Sequence, residues 1–198
     1  MTRLLALFLP FLVLAGCSAA PKPVFERLTF DYLTKIKLNV GSIDTDENWV
    51  PRGSLRQIGF LAPTRPVVAL RTMAAERLVP GGTTGRALFV IDDASLVLTR
   101  GHYEASFAVH LDLRDDAGNT IGTATAALRA SRKAADDTDE DAVRIDLDAL
   151  VRKMMDDMNV EFEFQVLGAL KAHLQNTSPD APAPGRVETQ DLTAPVIP

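Results

Sequence analysis

The sequence contains one cysteine, one tryptophan and three histidines among its 198 residues. A single cysteine excludes an intrachain disulfide, so a folded domain must be stabilised by its hydrophobic core. Positive charge is also scarce, because Lys and Arg total 21 against 26 Asp and Glu and the net charge is −5. Binding to phosphates requires clustered Lys and Arg, so this composition argues against a nucleic-acid partner.

The apolar run at the N-terminus, Leu4–Leu14, is too short for a membrane-spanning helix, which needs about 20 residues. Arg3 precedes this run and small residues follow it. A short apolar segment behind a positive charge is typical of a secretory signal peptide. We therefore predict a signal peptide over residues 1–16 and a tether over residues 17–24.

Residues 14–17 (Leu-Ala-Gly-Cys) resemble the lipobox of bacterial lipoproteins. The resemblance implies that the thiol of Cys17 is linked to diacylglycerol, that the preceding peptide is removed and that the new amine is acylated. Three acyl chains hold a protein on a membrane far more firmly than one. The alternative is a secreted protein in which Cys17 is incidental. In lipoproteins of enteric bacteria, Asp directly after the lipidated Cys favours retention at the inner membrane. Ser18 therefore favours the periplasmic face of the outer membrane, with the inner membrane left open.

The first half of the mature chain contains one predicted strand and one predicted helix. Alternating side chains over Phe30–Val40 predict a half-buried strand. The segment Ile43–Pro63 is predicted to be irregular, or to contain a short edge strand near Leu55–Phe60. A helix is predicted to begin at Thr64, which caps it. Its apolar stripe extends to Leu78 and excludes three charged residues: Arg71, Glu76 and Arg77.

The second half predicts three antiparallel strands and a long helix. Ala87–Leu98 predicts one buried strand or two short ones, because it is apolar except at Asp92-Asp93. A bulge or an edge position is favoured over catalysis at this doublet. The strand through Phe107–Leu113 and the strand Thr120–Ala130 flank a turn at residues 115–119. The last helix is predicted to begin at a capping box of Thr138 and Asp141 and to carry Met154 and Met158 on its apolar face. A continuation to about His173 is favoured, with an earlier end left open because residues 160–166 alternate like a strand.

The predicted fold is therefore α+β, with about four mainly antiparallel strands and two helices on one face in the order β-α-β-β-β-α. It forms a single globular domain over residues 25–175. Residues 176–198 are rich in Pro, Ala and Thr and are predicted to be a disordered tail.

No combination of residues predicts catalysis, a metal site or a cofactor. His102, His110 and His173 do not have the spacing of metal ligands, and His110 lies on the polar face of its predicted strand. Neighbouring carboxylates on a strand point to opposite faces, so a doublet does not by itself make an acid–base pair. The sequence thus favours a protein that binds rather than an enzyme.

The order of elements behind the lipobox looks like that of auxiliary lipoproteins of ABC-type envelope transport systems, and is similar to the small lipoprotein subunit of the lipopolysaccharide translocon. The resemblance covers roughly Phe25–His173. It implies a non-catalytic protein that plugs, positions or bridges transport components at the envelope, attached to the membrane through Cys17 and bound to an envelope protein. The resemblance supplies no further site residue.

Two functional hypotheses follow. The first is an accessory protein whose leading partner contact is Trp49, because Trp is enriched at interface hot spots; the alternative role of Trp49 is to cap the sheet core. The second is a lipid-anchored binding protein for an apolar ligand, which would need a cavity among Leu111, Met154 and Phe162. The oligomeric state is left open.

Overall fold

The computed structural model describes residues 22–51, 53, 55–134 and 138–175. Cys17, the predicted signal peptide and the predicted tail after residue 175 lie outside these ranges, as do Asp136 and Asp137. The strands are β1 (Ile36–Leu38), β2 (Ser42–Glu47), β3 (Leu78–Pro80), β4 (Arg86–Thr99), β5 (His102–Arg114) and β6 (Thr120–Lys133), and the helices are α1 (Pro66–Arg77) and α2 (Glu140–Ala169).

The main sheet confirms the predicted α+β fold with about four mainly antiparallel strands. Its strand order is β2-β4-β5-β6, with β4, β5 and β6 antiparallel and β2 parallel to β4. The strands β4 and β5 are joined by Arg100-Gly101, whose φ angles of 49° and 76° are both positive, as a type I′ turn requires. This turn matches the twist of the flanking strands and fixes the register of β4 against β5.

The N-terminal strands differ from the prediction. The alternation through Phe30–Val40 is real, since Ile36, Leu38 and Val40 are buried, but only β1 forms a ladder there, parallel to β3. The segment Ile43–Pro63, predicted to be irregular, contains all of β2 except its first residue. At Gln57 it forms one isolated bridge to Val97. Most side chains of β2 are exposed, so its sequence lacks the alternation that identifies a strand.

The first helix begins later than predicted and buries a residue that was expected to be exposed. Its N-cap is Arg65, with no side-chain cap, and Pro66 occupies the first turn; Thr64 is therefore not the cap. Leu78 was expected on the helical stripe but belongs to β3. Arg77 was expected off the apolar stripe, yet it is 1% exposed because polar groups from other parts of the chain surround its guanidinium.

The long second helix is continuous, as predicted, and ends at Ala169, followed by a 3-10 turn at Lys171–His173. Its cap is Asp139 rather than the predicted Thr138: the Asp139 carboxylate accepts hydrogen bonds from the backbone N–H groups of Asp141 and Ala142. Neither helix within the described ranges combines the length and the apolar composition that a membrane crossing requires.

Both helices pack on one face of the main sheet, and the hydrophobic core lies between the helices and the sheet. Every second residue of β5, from Tyr103 to Leu113, is buried there. Met154 and Met158 of α2 are fully packed core residues, which agrees with the apolar face predicted for that helix. The opposite face of the sheet carries no helix in the described part of the chain.

Candidate functional site

A β-bulge in the middle of β4 places two carboxylates on the helix-free face of the sheet. Ile91 pairs with Val109 and Asp93 pairs with Ala108, so Asp92 is the extra residue between them. The extra residue places Asp92 and Asp93 on the same side of the sheet, where regular alternation would separate them. The bulge interpretation of this doublet is confirmed, and the rule that adjacent carboxylates diverge does not hold at this position.

Each of the two carboxylates has a defined partner. An oxygen of Asp92 lies 2.6 Å from Nδ1 of His110 on the neighbouring strand. Asp93 Oδ1 accepts hydrogen bonds from the backbone N–H and the hydroxyl of Ser95, at 2.9 and 2.5 Å. These bonds hold the side chains of the bulge in one arrangement, so the acidic groups present a fixed surface.

The segment after β2 forms the second wall of the site. The backbone N–H groups of Asn48 and Trp49 both donate to the carbonyl oxygen of Ile91, at 3.0 and 3.2 Å, immediately before the bulge. Further along, the bridge between Gln57 and Val97 returns the segment to β4. A cleft lies between the two attachments, and Val50 and Leu55 line it.

This cleft, called here the Trp49 cleft, has a volume of about 640 Å³. Its lining includes Asn48, Trp49, Val50, Leu55, Gln57, Asp92, Asp93, Ser95, Val97, Glu104, Ser106 and Arg129. At its rim Val50 is 76% exposed and Leu55 is 40% exposed. The cleft therefore combines apolar side chains with fixed polar groups, as binding sites do.

The charge of the cleft is predominantly negative. Three carboxylates, those of Asp92, Asp93 and Glu104, face one guanidinium, that of Arg129. Strand register explains the placement, because Glu104 pairs with Val97 and Arg129 pairs with Ser106 across the same face. A ligand with a positive group beside an apolar group fits this arrangement.

Trp49 lies where both of its predicted roles can apply. It is half-buried, contacts the hydrophobic core and also lines the cleft. Cys17 is outside the described residues, and the predicted lipid site remains a prediction. Sequence reasoning missed the pairing of His110 with Asp92, because the two are brought together only by the register of β4 and β5.

Among the described residues, no group of three or more His, Cys, Asp or Glu side chains is arranged so that it could hold a metal ion. The remaining histidines lie apart from the cleft: His102 is exposed beside the β4–β5 turn, and His173 accepts a backbone hydrogen bond from Asn39 through its carbonyl oxygen. The polar groups of the cleft can form hydrogen bonds and ion pairs, and its apolar side chains can make apolar contacts.

The cavity required by the ligand-carrier hypothesis is occupied by side chains. Leu111, Met154 and Phe162 are all buried members of the core. Phe162 also packs edge-on against Phe89, with 5.5 Å between the ring centroids and 84° between the ring planes. An apolar ligand would have to displace these close-packed side chains, which favours the hypothesis of a partner-binding surface.

Comparisons with known proteins give only distant structural likenesses. No family model matches the chain, and no curated protein matches it. A crystal structure of a Xanthomonas campestris protein of the DUF330 family is similar at 8% identity, with a TM-score of 0.35, covering 74% of this chain and 94% of that one. A protein of Caulobacter crescentus provisionally named a lipoprotein is similar at 17% identity, with a TM-score of 0.29, covering 60% of this chain and 88% of that one. Both TM-scores are below 0.5.

Proposed function

We propose that this chain is a lipid-anchored, non-catalytic accessory protein of the bacterial cell envelope that binds an envelope protein in the Trp49 cleft. The observation that supports this most directly is the cleft itself, in which a positioned Trp lies beside exposed apolar side chains on a sheet face that no helix covers in the described chain. The lipobox resemblance at Cys17 supports the anchor and a periplasmic location at the outer membrane.

The geometry of the cleft matches that of an interface hot spot. The backbone of Trp49 is held by its bond to Ile91 and its side chain packs against the core, so less conformational freedom is lost when a partner binds. The exposed Val50 and Leu55 can exclude water around it. Truncating a hot-spot residue weakens binding by about 2 kcal/mol or more, which is about thirtyfold in Kd.

The partner should carry a basic side chain next to an apolar one. Asp92, Asp93 and Glu104 outnumber the single cation of the cleft, Arg129. Complementary charge increases the rate of association and excludes partners of the wrong sign. A segment with Lys or Arg beside an aliphatic or aromatic residue satisfies both halves of the site.

A non-catalytic role is supported by the setting of the one acid–base pair in the cleft region. The His110–Asp92 pair has the base and the orienting group that a nucleophilic site needs. In the described structure neither residue is hydrogen-bonded to a hydroxyl, and both side chains contact solvent, at 25% and 36% exposure. Catalytic sites of this type exclude water, which this open face does not do.

The test is capture of the partner in native membranes by a photocrosslinker placed beside the cleft, followed by identification of the captured protein. We expect Val50→Asp and Leu55→Asp to abolish capture without changing the thermal melt, since both side chains are exposed. Trp49→Ala should also abolish capture, and the loss of its core contacts should lower the melting temperature as well. Phe164→Ala, at an exposed position on α2, is the matched control and should leave capture intact.

Two results would contradict the proposal. Unchanged capture in the Val50→Asp and Leu55→Asp variants would place the partner elsewhere on the molecule. Turnover of an ester, glycan or peptide by the purified protein, lost on changing His110 to Ala, would show that the cleft region is catalytic.

A further inference from the structure

A second surface of the molecule, distinct from the Trp49 cleft, combines exposed apolar residues with arginine. It surrounds the loop before α1, where Phe60 is 65% exposed. Leu61 and Val68 are also exposed there. Two adjoining clefts, of about 630 and 410 Å³, share Pro63 and Arg65 and run along the loop. We call this region the Phe60 surface.

The charge of the Phe60 surface is opposite to that of the whole chain. Four arginines line its two clefts, and Glu140 is the one acidic residue among the lining side chains; the arginines are Arg27, Arg56, Arg65 and Arg144. In the described part of the chain no ion pair joins any of these arginines to a carboxylate. Their charge is therefore available to an anionic surface, although the net charge of the chain is −5.

The N-terminal segment begins at the same surface. The guanidinium of Arg144 lies over the ring of Phe25, 5.1 Å from its centroid, and Arg152 donates to the carbonyl oxygen of Glu26. These contacts hold the start of the described chain against the first half of α2. Cys17 precedes Lys22 by five residues, which span at most about 17 Å when fully extended. A lipid on Cys17 would therefore hold the membrane close to this end of the molecule.

We infer that the Phe60 surface rests on the anionic lipid surface of the membrane that holds the anchor. This inference relies on the proposed lipid at Cys17. Phe60 and Leu61 enter the interfacial region, where aromatic side chains are favoured, while the four arginines contact lipid phosphates. Contact on this side leaves the Trp49 cleft, on the helix-free face of the sheet, open to a partner.

The experiment uses the mature lipidated chain in vesicles of phosphatidylethanolamine and phosphatidylglycerol. Because the sequence has one cysteine and the lipid occupies its thiol, Phe60→Cys introduces a single free thiol for an environment-sensitive fluorophore. Phe164→Cys is the matched control: Phe164 is 69% exposed, compared with 65% for Phe60, and lies about 30 Å along α2 from Arg144. We expect quenching by lipids with a spin label near the headgroup at position 60 and none at position 164.

The role of charge is tested separately. Arg56→Gln and Arg65→Gln should each weaken contact of the labelled Phe60 surface with anionic vesicles by about fivefold, the usual effect of one basic residue near such a surface. Neither substitution should weaken contact with vesicles of phosphatidylcholine alone. Arg71→Gln, which removes an exposed cation paired with Glu47, is the control and should leave the contact unchanged.

The outcomes separate this inference from the function on which it relies. A chain that floats with the vesicles but leaves the fluorophore at position 60 in water overturns the membrane contact and keeps the anchor. Shielding of that fluorophore only after membrane proteins are added would show that a protein covers the Phe60 surface. This result also overturns the membrane contact. A chain that fails to float overturns the anchor, and the membrane contact with it.

Discussion

The guanidinium of Arg77, at the end of α1, lies 2.5 Å from a carboxylate oxygen of Glu163 in α2. The same guanidinium donates to the side chain of Asn159 at 3.1 Å and to the carbonyl oxygen of Thr34 at 3.0 Å. Arg77 is 1% exposed, so the charge is buried, but all of these acceptors surround it. One side chain thereby joins the N-terminal segment to both helices.

Replacing Arg77 with Ala should destabilise the fold by about 3 kcal/mol, because the buried acceptors of Asn159 would lose their donor. Urea unfolding at neutral pH measures the change. Arg71→Ala is the control on the same helix, where the exposed pair with Glu47 contributes less than about 1 kcal/mol. Equal losses in the two variants would contradict the stabilising role of Arg77.

The cap of α2 gives a second prediction. The Asp139 carboxylate accepts from the N–H groups of Asp141 and Ala142 at 3.1 and 3.0 Å, and Asp139→Ala removes that acceptor. We expect a loss of about 1 kcal/mol in the free energy of unfolding. Asp139→Asn keeps an acceptor oxygen at this position and should lose much less, so similar losses in both variants would show that the carboxylate charge, not the hydrogen bond, matters.

A third prediction concerns pH and the turn between β5 and β6. Hydrogen bonds from the side chain and backbone of Asn119 lower the pKa of Asp115 below its ordinary value. A lowered pKa in the folded state means that the turn is stabilised above the ordinary aspartate pKa of about 3.9. That stabilisation is lost as the pH falls through the lowered value.

Asn119→Ala should therefore raise the pKa of Asp115 toward its ordinary value, as followed by carboxyl chemical shifts during a pH titration. Asp31 is an internal control in the same titration, since its pKa is lowered by the hydroxyl of Thr29 and not by the turn. An unchanged Asp115 in the variant, or a parallel shift at Asp31, would contradict the assigned cause.

The fourth prediction concerns the anchor. Cys17→Ser should abolish labelling of the chain by radioactive palmitate and leave the precursor uncleaved at this site, because Cys17 is the one thiol in the sequence. Phe60→Cys, made in the Cys17→Ser background, restores a thiol at a different position and should not restore labelling. Labelling of the Cys17→Ser chain equal to that of the original would refute lipidation at this residue.

The elements that could be predicted from the sequence are those with strong periodicity. The strands β5 and β6 and the helix α2 bury regular stripes, so their patterns identify them within a few residues of their observed ends. The interruption at Asp92-Asp93 was predicted as a bulge or an edge position, because a polar pair does not fit a buried regular strand, and the structure contains the bulge. β2 was missed because its mostly exposed side chains carry no periodic signal.

The candidate site could be predicted only in part. Trp49 was identified from its residue type and its irregular surroundings, whereas the Asp92–His110 pair depends on strand register, which local sequence does not determine. The prediction that Arg77 lies off the buried stripe was wrong for a similar reason: its partners Asn159 and Glu163 lie far away in the sequence. Contacts between distant segments decide such positions, and helical periodicity does not report them.

The pairing of β1 and β2 has a consequence for the order of folding. The strands β4, β5 and β6 are joined by short turns, so each pairs with its neighbour in sequence. In contrast, β1 pairs with β3 and β2 with β4 across connections that contain α1. Closing a long loop costs entropy before its contacts form, so local pairs form faster. We therefore expect the meander to form first and the N-terminal strands to dock last, so that the end nearest Cys17 is the last part of the domain to be fixed.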